Sequence, residues 1–149
     1  MLIITKRGDG GEAEMMEELL AYLSQCPFLR PFRRQGLPYV TVDGLGTEPT
    51  QYSIEILPSS DWVRRYTDGG GIKQLSFVFA SRECFSGDAG QNAGNNCFYE
   101  QFSDWMRQTP PTAAGWIRVE AVTGGYRYFE DGAEGSARYQ IQCRVLYSV

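Results

Sequence analysis

The sequence predicts an α+β domain: a largely antiparallel or mixed β-sheet with two α-helices packed on it. Three observations predict it. Two segments, 10–26 and about 90–108, carry apolar residues at helical steps of three and four. The stretches between and after them hold β-branched and aromatic residues at period two, punctuated by glycine, proline, aspartate and asparagine. No composition shift or internal repeat divides the 149 residues, so one domain is expected over 1–149. A core of that size buries about 68–70% of the surface the unfolded chain exposes.

In the first helix Ala13, Met16, Leu20 and Leu23 form the apolar stripe and Leu19 widens it. Glu12, Glu14, Glu17 and Glu18 crowd the opening turns, where negative charge complements the helix dipole. Pro27 stops the helix. Residues 27–38 form a connector with Arg30, Arg33 and Arg34, read as a solvated or interface-facing loop.

Strands begin at Tyr39-Val40-Thr41-Val42. After a turn over 44–49, Tyr52, Ile54 and Ile56 alternate with Ser53 and Glu55, the pattern of a half-buried strand. Trp62 to Thr67 and Ile72 to Ala80, with Leu75, Phe77 and Phe79 on one face, predict a long hairpin over 61–83. Its turn is Asp68-Gly69-Gly70-Gly71, where glycine supplies positive φ.

Residues 84–96 are small, polar and glycine-containing. The second helix follows, with Phe98, Phe102, Trp105 and Met106 on one side, and Thr109-Pro110-Pro111 ends it. A strand over 116–122, a short strand or loop over 126–129 and a turn over 132–135 come next. The clearest periodicity closes the chain: Ala137, Tyr139, Ile141, Cys143, Val145 and Tyr147 alternate with Arg138, Gln140, Gln142 and Arg144. That face reads either as a solvated surface or as one that meets a neighbouring subunit or lines a ring.

The chain has 14 basic and 18 acidic residues, a net charge of −4, and no histidine. The commonest general base and metal ligand is therefore missing, and an acidic chain does not favour nonspecific nucleic-acid binding. Cys26, Cys84, Cys97 and Cys143 form no Cys-x-x-Cys pair, so buried free thiols are expected rather than a zinc site or disulfides. Arg82 and Cys84 share a strand face and Glu83 does not. No serine sits in a Gly-x-Ser-x-Gly elbow, and neither glycine-rich stretch continues as a phosphate loop. No catalytic, cofactor or metal residues are assigned, and no enzyme activity is expected. No apolar run approaches the roughly 18–20 residues of a membrane span, and the short apolar start Met1–Ile4 does not read as a signal peptide. A cytosolic protein with no membrane partner is expected.

Five segments, in order, carry a family pattern: Tyr52-Ser53-Ile54-Glu55-Ile56-Leu57-Pro58, Val63-Arg64-Arg65-Tyr66-Thr67-Asp68-Gly69-Gly70, Phe77-Val78-Phe79-Ala80-Ser81-Arg82-Glu83, Cys97-Phe98-Tyr99-Glu100-Gln101-Phe102-Ser103-Asp104-Trp105 and Ala137 to Tyr147. Over roughly 40–149 the chain resembles the minor capsid or tail terminator proteins of long-tailed phages and prophages. The resemblance implies a homo-hexameric ring that caps the tail tube and joins it to the head–tail connector protein. DNA passes through such a ring without specific binding. It implies partners in the tail-tube and connector proteins, and a place in the host cytoplasm during assembly and then in the virion tail.

Candidate subunit or partner interface residues are Asp61, Arg64, Arg65, Asp68, Gly69, Gly70, Arg82 and Glu83; cross-strand salt bridges on a solvent face are the plainer reading of their charges. The 68–71 tip and the 85–95 segment are expected to be mobile alone and ordered by neighbours. The alternatives are a head-completion or connector adaptor, a small carboxylate-dependent enzyme, and a ligand-binding module on the aromatic-rich sheet.

Overall fold

A computed structural model describes residues 10–29, 39–43, 45, 51–58, 61–84, 89–128 and 136–149. Its element order is α1 (Gly10–Ser24), β1 (Tyr39–Val42), β2 (Gln51–Ile56), β3 (Trp62–Arg65), β4 (Gly71–Cys84), α2 (Ala89–Gln108), β5 (Trp116–Ala121), β6 (Tyr126–Tyr128) and β7 (Ser136–Ser148). This is the predicted α+β fold. The mixed character of the sheet lies in one parallel pair, β1 with β2, beside otherwise antiparallel pairings.

Two long strands organise the sheet. β4 and β7 pair from Ile72↔Ser148 to Cys84↔Ser136. Each outer edge of this central pair is shared by two short strands. β3 takes the first residues of β4 and β2 the later ones, so the predicted hairpin is lopsided, four residues against fourteen. β6 and β5 divide β7 in the same way. The strand order β1-β2-β4-β7-β5 follows, with β3 on β4 and β6 on β7.

Both helices pack on one face of this sheet. Residues opposite one another in an antiparallel ladder share a face, so Phe77 and Cys143, Phe79 and Ile141, and Tyr52 and Ser81 point to the same side. Phe79 stacks on Phe102 of α2 at 4.6 Å and on Tyr52 at 5.5 Å between centroids. The column continues through Trp105 to Tyr22 of α1. Tyr22 also donates its hydroxyl hydrogen to the Thr109 carbonyl at 2.6 Å, tying α1 to the end of α2. Leu19, Leu20 and Leu23 are fully buried and Met16 packs partly against them, as the stripe predicts; the Ala13 side chain lies outside the described residues. Gln25 and Cys26 donate to the carbonyls three residues back, a tightened last turn before Pro27.

The predicted turns over 44–49 and 132–135, the 30–38 stretch with its three arginines, and Phe129 lie almost wholly outside the described residues. α2 begins at Ala89, so most of the 85–95 segment is helical rather than loop; 85–88 lie outside the described residues. No helix among the described residues is long and apolar enough to cross a membrane.

Candidate functional site

The β3–β4 hairpin gathers six of the eight predicted residues. Its loop is Thr67-Asp68-Gly69, closed by Tyr66 N–H to Gly70 O at 2.7 Å and by Gly69 N–H to Tyr66 O at 3.2 Å. A three-residue loop of this kind ends in a left-handed residue, and Gly69 sits there at φ +92°. The Asp68 carboxylate accepts from Gly70 N–H at 2.9 Å. Positive φ at all the tip glycines is not what the structure uses. Gly70 and Gly71 are there for space: a Cβ on Gly70 would lie 2.9 Å from the Val149 carbonyl oxygen, and one on Gly71 2.1 Å from that of Arg64. Gly71 and Val149 also exchange two backbone hydrogen bonds. The tip is thus tied to its own chain without a neighbour.

On the hairpin, Asp61 pairs with Lys73 at 3.4 Å. Trp62 carries the Arg65 guanidinium at 4.4 Å and the Lys73 ammonium at 4.7 Å from its ring centroid. A bulge between Trp62 and Arg64 displaces Val63 from the ladder. Val63 and Tyr66 are 48% and 47% exposed, and Arg64 and Arg65 are exposed beside them.

Arg82 and Glu83 belong elsewhere. They lie eleven and twelve residues further along β4, roughly 36–40 Å from Gly71 at strand rise. Both are buried within the chain, Glu83 completely. Their expected place on an interface is corrected: the register puts Glu83 on the helix side, opposite Ala137, and Arg82 on the other side, opposite Arg138. A charge at zero exposure belongs to the interior, not to a surface patch.

That interior has its own polar arrangement. Tyr99 of α2 donates to the Tyr139 carbonyl at 2.8 Å and so accepts from the Ser81 hydroxyl. Burial holds its phenol well above the ordinary range, and the Glu83 charge adds to this. Gly125 lets the segment after β5 press on Tyr99, because a Cβ there would stand 2.3 Å from that of Tyr99. Burial likewise raises the Tyr22 phenol and the Cys26 and Cys143 thiols. Cys97 departs from the expected buried thiols: it is free and exposed on α2.

The helix-free face of the sheet carries the most extended set of polar contacts among the described residues. Arg138 grips Glu55 of β2 with both terminal nitrogens and donates Nε–H to Gln140 at 2.8 Å. Gln140 and Gln142 both donate to the Tyr126 hydroxyl, at 2.6 and 3.3 Å. Arg144 meets Glu120 of β5 at 2.8 Å and Gln74 of β4 at 3.3 Å, and Arg118 reaches the other Glu120 oxygen at 3.3 Å. The polar face of β7 was legible from its alternation. Its acids on β2 and β5 were not, because only the strand order shows which carboxylates face which arginines.

A cleft of about 40 Å³ lies between α1 and the 111–116 segment, lined by Glu18, Tyr22, Gln25, Pro111 and Trp116 among others. It is far below the roughly 300–1,000 Å³ of a usual small-molecule site, but wide enough for the end of one side chain. Among the described residues no group of three or more cysteine, aspartate or glutamate side chains is placed to hold a metal ion. Fold and surface together define a two-layer α+β arrangement with a charged, helix-free sheet face and an exposed β3–β4 hairpin. No protein-family model matches the chain, and no curated protein matches it.

Proposed function

We propose that the chain is a structural subunit of a phage or prophage tail, a tail terminator that forms a ring on the tail tube and joins it to the head connector. The observation that carries this reading is the β3–β4 hairpin, which exposes Val63 and Tyr66 on either side of Arg64 and Arg65 while its loop is closed by backbone hydrogen bonds. Exposed apolar groups rimmed by charge are a protein-docking feature. The five-segment resemblance supplies the family. In this reading the protein works through contacts with itself, the tube and the connector, without enzyme activity or a bound cofactor, and DNA passes it without specific binding.

The test is the capping of purified tail-tube polymers. Added protein is expected to arrest tube growth and to give rings of about 101 kDa, six times the 16.8 kDa chain. Tubes that keep growing in its presence reject the role. The acidic net charge further implies an acidic lumen, and a basic lumen seen by electron microscopy would remove that part alone.

A further inference from the structure

The hairpin and the α1 cleft lie at one end of the sheet but toward opposite edges of it. One transverse row of the register runs Trp62–Lys73–Tyr147–Trp116 across β3, β4, β7 and β5. Trp62 belongs to the hairpin and Trp116 lines the cleft. Three strand spacings, about 14 Å, separate the outer two strands. Among the described residues no strand lies beyond β3 or β5.

The two differ in charge. Arg64 and Arg65 are exposed on the hairpin, and Asp61 is engaged with Lys73. By contrast, α1 holds four glutamates and no basic residue. Glu17 and Glu18 are exposed, and Glu18 lines the cleft beside Pro111 and Trp116. The cleft offers a carboxylate and an indole to whatever enters, a combination that suits a guanidinium.

We infer that the occupant of this cleft is the hairpin of a second copy of the chain, with Arg64 and Arg65 set against Glu17 and Glu18 and with Val63 and Tyr66 covered by the contact. Complementary surfaces on opposite edges of one sheet make a head-to-tail contact, which closes a ring when the rotation between successive copies brings the last onto the first. The inference rests on the ring proposed above and names the surfaces that build it.

A charge exchange tests it in the full-length chain. The wild type should self-associate in sedimentation velocity at micromolar to millimolar concentration. Arg64→Glu with Arg65→Glu should weaken association at least tenfold, and so should Glu17→Arg with Glu18→Arg; all four side chains are exposed, and unchanged melting curves would show each variant folded. An equimolar mixture of the two variants should recover association, because each copy then meets a partner of opposite charge on both sides. A wild type that stays monomeric throughout, or folded variants that associate as well as wild type, overturns the inference. So does a mixture that fails to recover. Loss of tube capping by the hairpin variant with self-association intact would assign the hairpin to the tube instead. Tubes left uncapped by a protein whose association follows the charge exchange would reject the terminator role and leave this interface standing.

Discussion

The two faces of β7 differ by one residue of register and by almost everything else. On the helix side Tyr139, Ile141, Cys143 and Val145 are shut against an aromatic column. On the other side Arg138, Gln140, Gln142 and Arg144 hold two carboxylates, an amide and a phenol from four other strands. Polarity does not here mean exposure: Gln140 is only 6% exposed, as closed as some of the apolar core. Alternation in a strand sorts residues by chemistry, and the neighbours then decide which face meets water.

Alkaline pH should produce the largest effect on the helix side, where burial raises two phenols and two thiols. In the unfolded chain the thiols of Cys26 and Cys143 ionise near 9 and the phenols of Tyr22 and Tyr99 near 10. Folding raises all four, so the unfolded state sheds protons first. Stability is full below about pH 8 and falls as pH rises through 9 and 10, with a slope of about 1.4 kcal/mol per unit for each group. Urea midpoints measured from pH 7 to 11 check this, and a flat profile would contradict it.

Phe79→Ala comes next. It removes a ring stacked between Tyr52 and Phe102, at an expected cost of about 3–5 kcal/mol, read from denaturant midpoints. Gly125→Ala should cost about 1–3 kcal/mol by pushing on Tyr99, and Gly71→Ala a similar amount against the Arg64 carbonyl. Gly69→Ala, where only the backbone conformation objects, should cost about 1 kcal/mol. On the helix-free face, Arg138→Ala leaves a part-buried carboxylate without its guanidinium and should cost about 1–3 kcal/mol. A double-mutant cycle with Glu55→Gln isolates that pair. On the hairpin, Lys73→Ala removes both the pair with Asp61 and the contact with the Trp62 ring and should shift stability by about 1 kcal/mol. A larger loss from Arg138 than from Phe79 would reverse the contrast.

Much of this fold could be read from local pattern. The stripes of α1 and α2, the alternation of β2 and β7 and the Asp68-Gly69 turn each depend on neighbours in sequence. Partnership was harder to read. That β4 serves β3 with one part and β2 with another depends on which strands meet it. Tyr99 fell outside the aromatic stripe assigned to α2, although its hydroxyl is what a buried tyrosine needs beside Ser81. Of the candidate interface residues, those within the turn's reach came together. Arg82 and Glu83 looked like surface charges only because a strand's sequence does not say how deeply it is buried.

The pairing of β4 with β7 has a kinetic side. These strands are neighbours in the middle of the sheet, yet α2, β5 and β6 lie between them along the chain. Closing that long loop is an entropic cost met before the ladder repays it, and topologies of this kind fold slowly. Because β7 follows every other element, a chain cut before residue 136 leaves β4, β5 and β6 without the strand that joins them. Such a fragment would present the long open edge of β4 to any other strand nearby.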